Sequence, residues 1–261
     1  MRAFFTWLLC LIVAAVALQL FFVGRIALMA AVDPQSTAFQ RSEAWQLATH
    51  GRSNSDAAGN RVSERTADRA WQQRWVPYAQ IADTLKRAVI ASEDGEFIYH
   101  QGVEWEAIER ARQRNAKAEE IAARRAAAAI ARGKSPQAAK VRGGSTITQQ
   151  LAKNLFLSGE RTLLRKGQEL VLATVLEALL SKQRILELYL NSVEWGEGVF
   201  GAEAASQRYF AKSASRLSAN EAARLAVMLP SPKFFERKPG SPYIAGRAAT
   251  IVARMPSAEL P

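Results

Sequence analysis

One cysteine and two histidines are all that 261 residues supply of the softer chemistry-bearing side chains. The lone Cys10 excludes an internal disulfide. His50 and His100 stand far apart in the chain, which argues against a His/Cys zinc site and against a Cys–His nucleophile pair. Strand-like alternation is sparse, and no repeat of 20–50 residues is visible, so neither a β architecture nor a solenoid is expected. Acidic residues are also short: 24 Asp plus Glu against 35 Lys plus Arg leaves a net charge of +11. That excess suits an anionic partner such as nucleic acid, lipid headgroups or a phosphorylated substrate, and charge alone does not choose among them. The most basic stretch, 110–142, carries few aromatic residues, which weighs against a nucleic-acid surface.

The longest charge-free run is "AFFTWLLCLIVAAVALQLFFVG" at 3–24. Roughly 20 apolar residues suffice to span a bilayer as a helix, whereas a cleaved signal peptide has a shorter apolar region. "ALMAA" at 27–31 imitates a cleavage site, but the length of the run favours a retained anchor over residues 1–32. Arg2 and Arg25 flank the span on either side, so the positive-inside rule gives little orientation.

Residues 33–70 are polar and irregular, with "GRSNSDAAGN" at 51–60, and suggest a juxtamembrane tether. The ordered domain is expected over 71–261. Ile81, Leu85, Ala88 and Val89 have helical spacing. The Ala/Arg/Glu-rich stretch 104–132 predicts a long solvent-facing helix, stopped by Gly133 and Pro136. Further helices are expected over 146–157, 163–181, 182–191, 202–210 and 218–229. The class is all-α on a membrane anchor.

Three stretches could carry chemistry. "GGSTITQQLAKN" at 143–154 places Thr146 and Gln149 at capping-box spacing, with Gln149/Lys153 and Gln150/Asn154 each four apart on the helix that follows. Free N–H groups at a helix start bind phosphate, and Lys153 adds a point charge; a capped helix with a polar solvent face is the plainer alternative. "ASEDGEFIYHQG" at 91–102 sets Glu93 and Asp94 directly after an apolar run, where partial desolvation makes a carboxylate a usable base; the alternative is a surface acidic turn. Within 161–210, Glu169 lies four residues from Arg165 and three from Lys166, either as a functional cluster or as an ordinary helix-surface ion pair. "GEGVFG" at 196–201 fits GxGxxG, but it follows a predicted helix with no βαβ unit around it, so dinucleotide binding is rejected.

Taken in order, "EDGEFIYHQG", "GGSTITQQLAKN", "RKGQE", "KQRILELYLN" and "GEGVFGAEAASQRYF" resemble the five motifs of the peptidoglycan glycosyltransferases, glycosyltransferase family 51, over roughly residues 71–235. With one anchor the chain looks like the monofunctional biosynthetic type. The resemblance implies a lysozyme-like fold with a small membrane-associated jaw lobe. It implies polymerisation of lipid II by inverting transfer, in which the acceptor 4-hydroxyl attacks C1 of the donor and the undecaprenyl diphosphate leaves. Glu93 then matches the base and Glu169 the second family glutamate. Asp94, Ser145, Thr146, Gln149, Gln150, Lys153, Asn154, Arg165 and Lys166 match substrate- and diphosphate-binding positions.

The implied partners are lipid II, the growing glycan strand, the membrane and proteins of cell-wall synthesis or division, with no nucleic acid. The implied location is the bacterial inner membrane, single-pass, with the catalytic domain in the periplasm. No cofactor is obligatory; a divalent cation, Mg or Mn, is allowed as an aid to diphosphate departure. No serine has lysine at +3, so S-x-x-K is absent and no transpeptidase activity is expected. Departures from the family pattern are a longer segment around 115–138, an insertion around 49–66, and Phe200 in place of a frequent tyrosine. His100 is expected to be structural. A lytic transglycosylase or muramidase, sharing the lysozyme-like core but needing no diphosphate cluster, is the alternative.

Overall fold

The computed structural model describes residues 1–53, 71–130, 132, 135, 144–157, 159–160 and 162–261. The expected stop signals Gly133 and Pro136, and most of the segment 49–66, lie outside the described residues.

Helix α1 (Arg2–Leu28) is long and apolar enough to cross a membrane. It lies against α6 (Leu163–Leu179), where Gln19 and Gln168 exchange amide hydrogen bonds of 2.9 and 3.1 Å. The described part of the segment expected as a tether contains a helix, α2 (Ala38–Ser53). Thr37 and Gln40 cap it reciprocally, Gln40 N–H donating to the Thr37 hydroxyl and Thr37 N–H to the Gln40 side chain, at 3.0 and 2.8 Å. Thr37 and Gln40 have the capping-box spacing, so the start of this helix is set locally.

The body is helical, as expected. Helix α3 (Asp83–Glu93) carries Leu85, Ala88 and Val89 of the helical pattern, and α4 (Trp105–Ile130), α5 (Ile147–Phe156), α6, α7 (Lys182–Ser192), α8 (Ala202–Phe210) and α9 (Ala219–Met228) fall within a few residues of the predicted spans. Their apolar faces make the core: Leu85, Val89, Leu151, Leu172, Ile185 and Leu225 are all fully buried. α9 packs on both α3 and α11 (Pro242–Arg254), with α10 (Pro232–Glu236) between them in the chain. α11 was not predicted, although Ser241 caps it, Pro242 opens it, and Ile244, Ala248 and Ile251 are its buried stripe.

A small sheet also forms: β1 (Gln72–Gln73) pairs parallel with β3 (Val199–Phe200), which pairs antiparallel with β2 (Glu194–Gly196). The rejected GxGxxG segment therefore builds a tight β turn. Gly201 has φ of 85°, and a Cβ there would stand 2.8 Å from the Asn191 carbonyl oxygen, so no larger residue fits. Phe200 is buried with its ring 4.6 Å from that of Trp71.

Candidate active site

Two helix ends meet where the sequence placed its candidates. α3 is tied into the core by Leu85, Ala88, Val89 and Ile90, and ends at Glu93. α5 begins beyond Thr146, whose hydroxyl accepts the Gln149 N–H at 3.1 Å while the Gln149 side-chain oxygen accepts the Thr146 N–H at 3.1 Å. The capping box read from the sequence is formed.

Asp94 joins these two ends. Its carboxylate accepts the Ile147 N–H at 2.9 Å and faces His100 Nε2 at 2.9 and 3.0 Å. His100 Nδ1 accepts the Gly102 N–H at 3.1 Å, which assigns the proton to Nε2. The Thr146 hydroxyl donates to the Gly102 carbonyl at 2.6 Å. Gly102 itself has φ of 84° and lies so close to α6 that a Cβ would meet the Ala173 carbonyl oxygen at 3.0 Å. Asp94, His100 and Thr146 are all buried in this knot. Asp94 and Thr146, expected among substrate-binding positions, thus have their polar atoms turned inward on the protein.

Glu93, next to Asp94 in the chain, is half-buried and makes its own contacts. Gln150 donates its Nε2–H to Glu93 Oε2 at 3.0 Å, and the Tyr189 hydroxyl donates to Gln150 Oε1 at 3.0 Å. The Glu93 pKa is raised, first by desolvation; the Gln150 and Ser92 hydrogen bonds oppose the rise, Asp94 adds to it and Arg247 opposes it. The negative end of α3 acts in the same upward direction.

A second cluster sits on the first turns of α6. Arg165 Nη1 donates to Glu169 Oε2 at 2.7 Å, and Lys166 Nζ donates both to Glu169 Oε1 and to Ser145 Oγ, the latter at 3.1 Å. Glu169 is buried, so this is not a solvated surface pair. Arg165 Nε is buried with no partner among the described residues.

Lys153 lies on α5, one turn beyond Gln150. Its side chain remains solvent-exposed, yet protein on its flanks lowers its pKa, first by desolvation; Arg165 and Lys166 lower it further, while Glu169 and Glu93 raise it. Gln149 and Asn154 are buried on the same helix.

Two contributors were missed in the sequence. Tyr189 lies inside a quoted motif but was given no role, and it is fully buried beneath Gln150. Arg247, on α11, affects Glu93 electrostatically, and nothing local in the sequence points to it. Among the described residues no three His, Cys, Asp or Glu side chains converge as metal ligands. The donor set therefore offers no ready-made cage for the divalent cation that the motifs allow.

The arrangement of a desolvated carboxylate at one end of α5 and a buried ionic cluster tied to Ser145 accords with what the chain is similar to. Residues 59–256 match the transglycosylase family model. The chain belongs to the transglycosylase family. A biosynthetic peptidoglycan transglycosylase of Paraburkholderia xenovorans is 49% identical over 249 residues, covering 95% of this chain and 90% of that protein. The protein of the same name from Bordetella pertussis is 47% identical at the same coverage. That of Herminiimonas arsenicoxydans is 43% identical over 262 residues, covering 100% of this chain and 99% of that protein. The family suggested by the five motifs is the family found, and the transglycosylase domain is all-α and lysozyme-like as expected.

Proposed function

We propose that lipid II is the substrate that this peptidoglycan glycosyltransferase polymerises into glycan strands. The observation that carries the reading is the start of α5, where Gln150 donates to Glu93 at 3.0 Å and Ser145, just ahead of the helix, accepts from Lys166 of the basic cluster at 3.1 Å. Glu93 takes the proton from the acceptor 4-hydroxyl as its oxygen bonds to C1 of the donor. The C1–oxygen bond to the lipid diphosphate breaks, its electron pair leaves with the diphosphate, and the anomeric centre inverts. A raised pKa makes Glu93 a stronger base than an ordinary carboxylate, and Gln150 holds its orientation. Lys153, Arg165 and Lys166 meet the developing charge on the diphosphate, which needs no proton to depart.

The direct test is incubation of the purified protein with lipid II, followed by gel separation of glycan polymer. Polymer from the parent and a loss of about 10²–10⁴-fold in Glu93→Gln is the expected result. Absence of polymer, or cleavage of preformed glycan, overturns the reading.

The substrate is presented outside the cytoplasm, so the reading includes α1 crossing the inner membrane once, with 33–261 in the periplasm. A carboxyl-terminal reporter active only in the periplasm is expected to be active; a cytoplasmic reporter active at that end overturns the orientation.

A further inference from the structure

Tyr189 stands on α7 between Leu188 and Leu190; all three are fully buried, and α7 packs against α5. From there its hydroxyl reaches Gln150 Oε1 at 3.0 Å, while Gln150 Nε2 stands 3.0 Å from Glu93 Oε2. The Tyr189 hydroxyl makes no second hydrogen bond among the described residues.

An amide presents a donor at one end and an acceptor at the other, so its two orientations differ here. As found, Oε1 accepts from Tyr189 and Nε2 donates to the Glu93 carboxylate. Turned over, the amide would set Oε1 against that carboxylate, where two acceptors repel, and Nε2 against the Tyr189 oxygen. The Tyr189 O–H would then be a buried donor without an acceptor, which is costly. The turned amide suits only a protonated Glu93, whose O–H donates to Oε1. Tyr189 itself stays protonated at neutral pH. Burial first, and then the charges of Glu93 and Asp94, hold its pKa well above the ordinary tyrosine value.

We propose that Tyr189 is a positioning residue for the base: its hydroxyl fixes which way the Gln150 amide faces and so keeps a donor, not an oxygen, against Glu93. Being fully buried, it meets no substrate and acts through Gln150. The proposal rests on Glu93 as the base of the lipid II reading and deepens it.

The consequence is a bias in the proton equilibrium of Glu93. With the hydroxyl in place, the amide orientation of lowest energy is the one that favours the charged carboxylate. Without it, the amide turns to accept from the protonated carboxyl, and the base is lost at a higher pH. The other charges that act on Glu93 are Asp94 beside it, Arg247 of α11 and Lys153 of α5. α9 also packs on α3, but its Glu221 and Arg224 are held by Lys212 and the Pro239 carbonyl. The turn Met255–Ser257, packed on α3 as well, carries no titratable side chain.

The test is kcat/KM for lipid II polymerisation across pH, on the detergent-solubilised full chain, since that profile reports the base of the free enzyme. Tyr189→Phe keeps the ring and removes only the hydroxyl. Its acid limb is expected to move up by about half a pH unit to one unit, the worth of one hydrogen bond. In the Gln150→Leu background no amide remains to orient, so adding Tyr189→Phe is expected to leave the limb where Gln150→Leu alone puts it. A merely structural tyrosine would lower Tm in both backgrounds and move the limb in neither. A second measurement needs no folded Phe variant. In the parent, isotope-labelled at tyrosine Cζ, one NMR resonance is expected to shift with its midpoint at the acid limb and to stop doing so in Glu93→Gln.

A folded Tyr189→Phe whose acid limb stays in place or moves down overturns the proposal, as does an equal upward shift in the Gln150→Leu background. So does the lack of any tyrosine resonance that loses its titration in Glu93→Gln. Failure of the lipid II reading is separately visible: the labelled tyrosine would follow Glu93 while the parent makes no polymer from lipid II.

Discussion

The side-chain amide of Gln150 stands 3.0 Å from Oε2 of Glu93, bridging the first turns of α5 to the last residue of α3. A neutral donor in that place stabilises the charged form of a carboxylate whose pKa desolvation raises. The acid limb of kcat/KM is therefore expected above the ordinary carboxylate range, because the base must be deprotonated and activity falls as pH drops through its pKa. Gln150→Leu removes the opposing hydrogen bond and moves that limb to still higher pH. Rate measurements across pH on both proteins check this; a limb that stays in place or moves down contradicts the assignment of Glu93 as base.

Lys153→Ala is expected to reduce polymerisation by about 10²-fold or more, since it leaves charge on the departing diphosphate unopposed. Lys153→Gln keeps length without charge and rescues poorly, whereas Lys153→Arg restores part of the rate. Steady-state polymerisation with circular dichroism as a folding control is the measurement. A folded Lys153→Ala at the parental rate would return "GGSTITQQLAKN" to the status of a capped helix with a polar face.

Asp94 predicts a different phenotype from its neighbour Glu93. It holds the Ile147 N–H and His100 together in the buried knot, so Asp94→Ala leaves at least two donors unsatisfied. A loss of about 1–3 kcal/mol is expected, seen as a lower Tm in the absence of any substrate. Unchanged Tm with impaired lipid II binding would instead place Asp94 in contact with the substrate.

Glu194 gives a pH signature away from the chemistry. It is buried on β2, 3.6 Å from Lys233 of α10, which also pairs with Glu43 of α2. Desolvation is the main cause of a pKa raised from 4.5 to about 7; Lys233 opposes it, and Glu43 and Glu236 add to it. Because the folded pKa is the higher one, the stabilisation from this group is full below about pH 4.5 and is lost as pH rises to about 7. The change is on the order of 3 kcal/mol. Glu194→Gln is neutral throughout, so the Tm of the parent minus that of the variant is expected to fall across this window. A flat difference profile would show that Glu194 titrates normally.

The sequence by itself determined the apolar span, the helical class, most helix boundaries and the order of the five motifs. These depend on side chains a few positions apart: the Thr146–Gln149 cap and the 3.6-residue stripe of α3 act within one or two helical turns. The same local logic was available and went unread at Thr37–Gln40 and at Ser241–Pro242, where polar or short flanking sequence hid a helix start. Only the tertiary structure decided what each polar side chain meets. Adjacent Glu93 and Asp94 look alike in sequence, yet one meets Gln150 and the other turns into the knot around His100. Tyr189 beneath Gln150, and Lys233 between Glu43 and Glu194, come from distant parts of the chain. The physical reason is that desolvation and charge pairing depend on neighbours in space, and packing α3, α5, α6, α7 and α11 together chooses those neighbours.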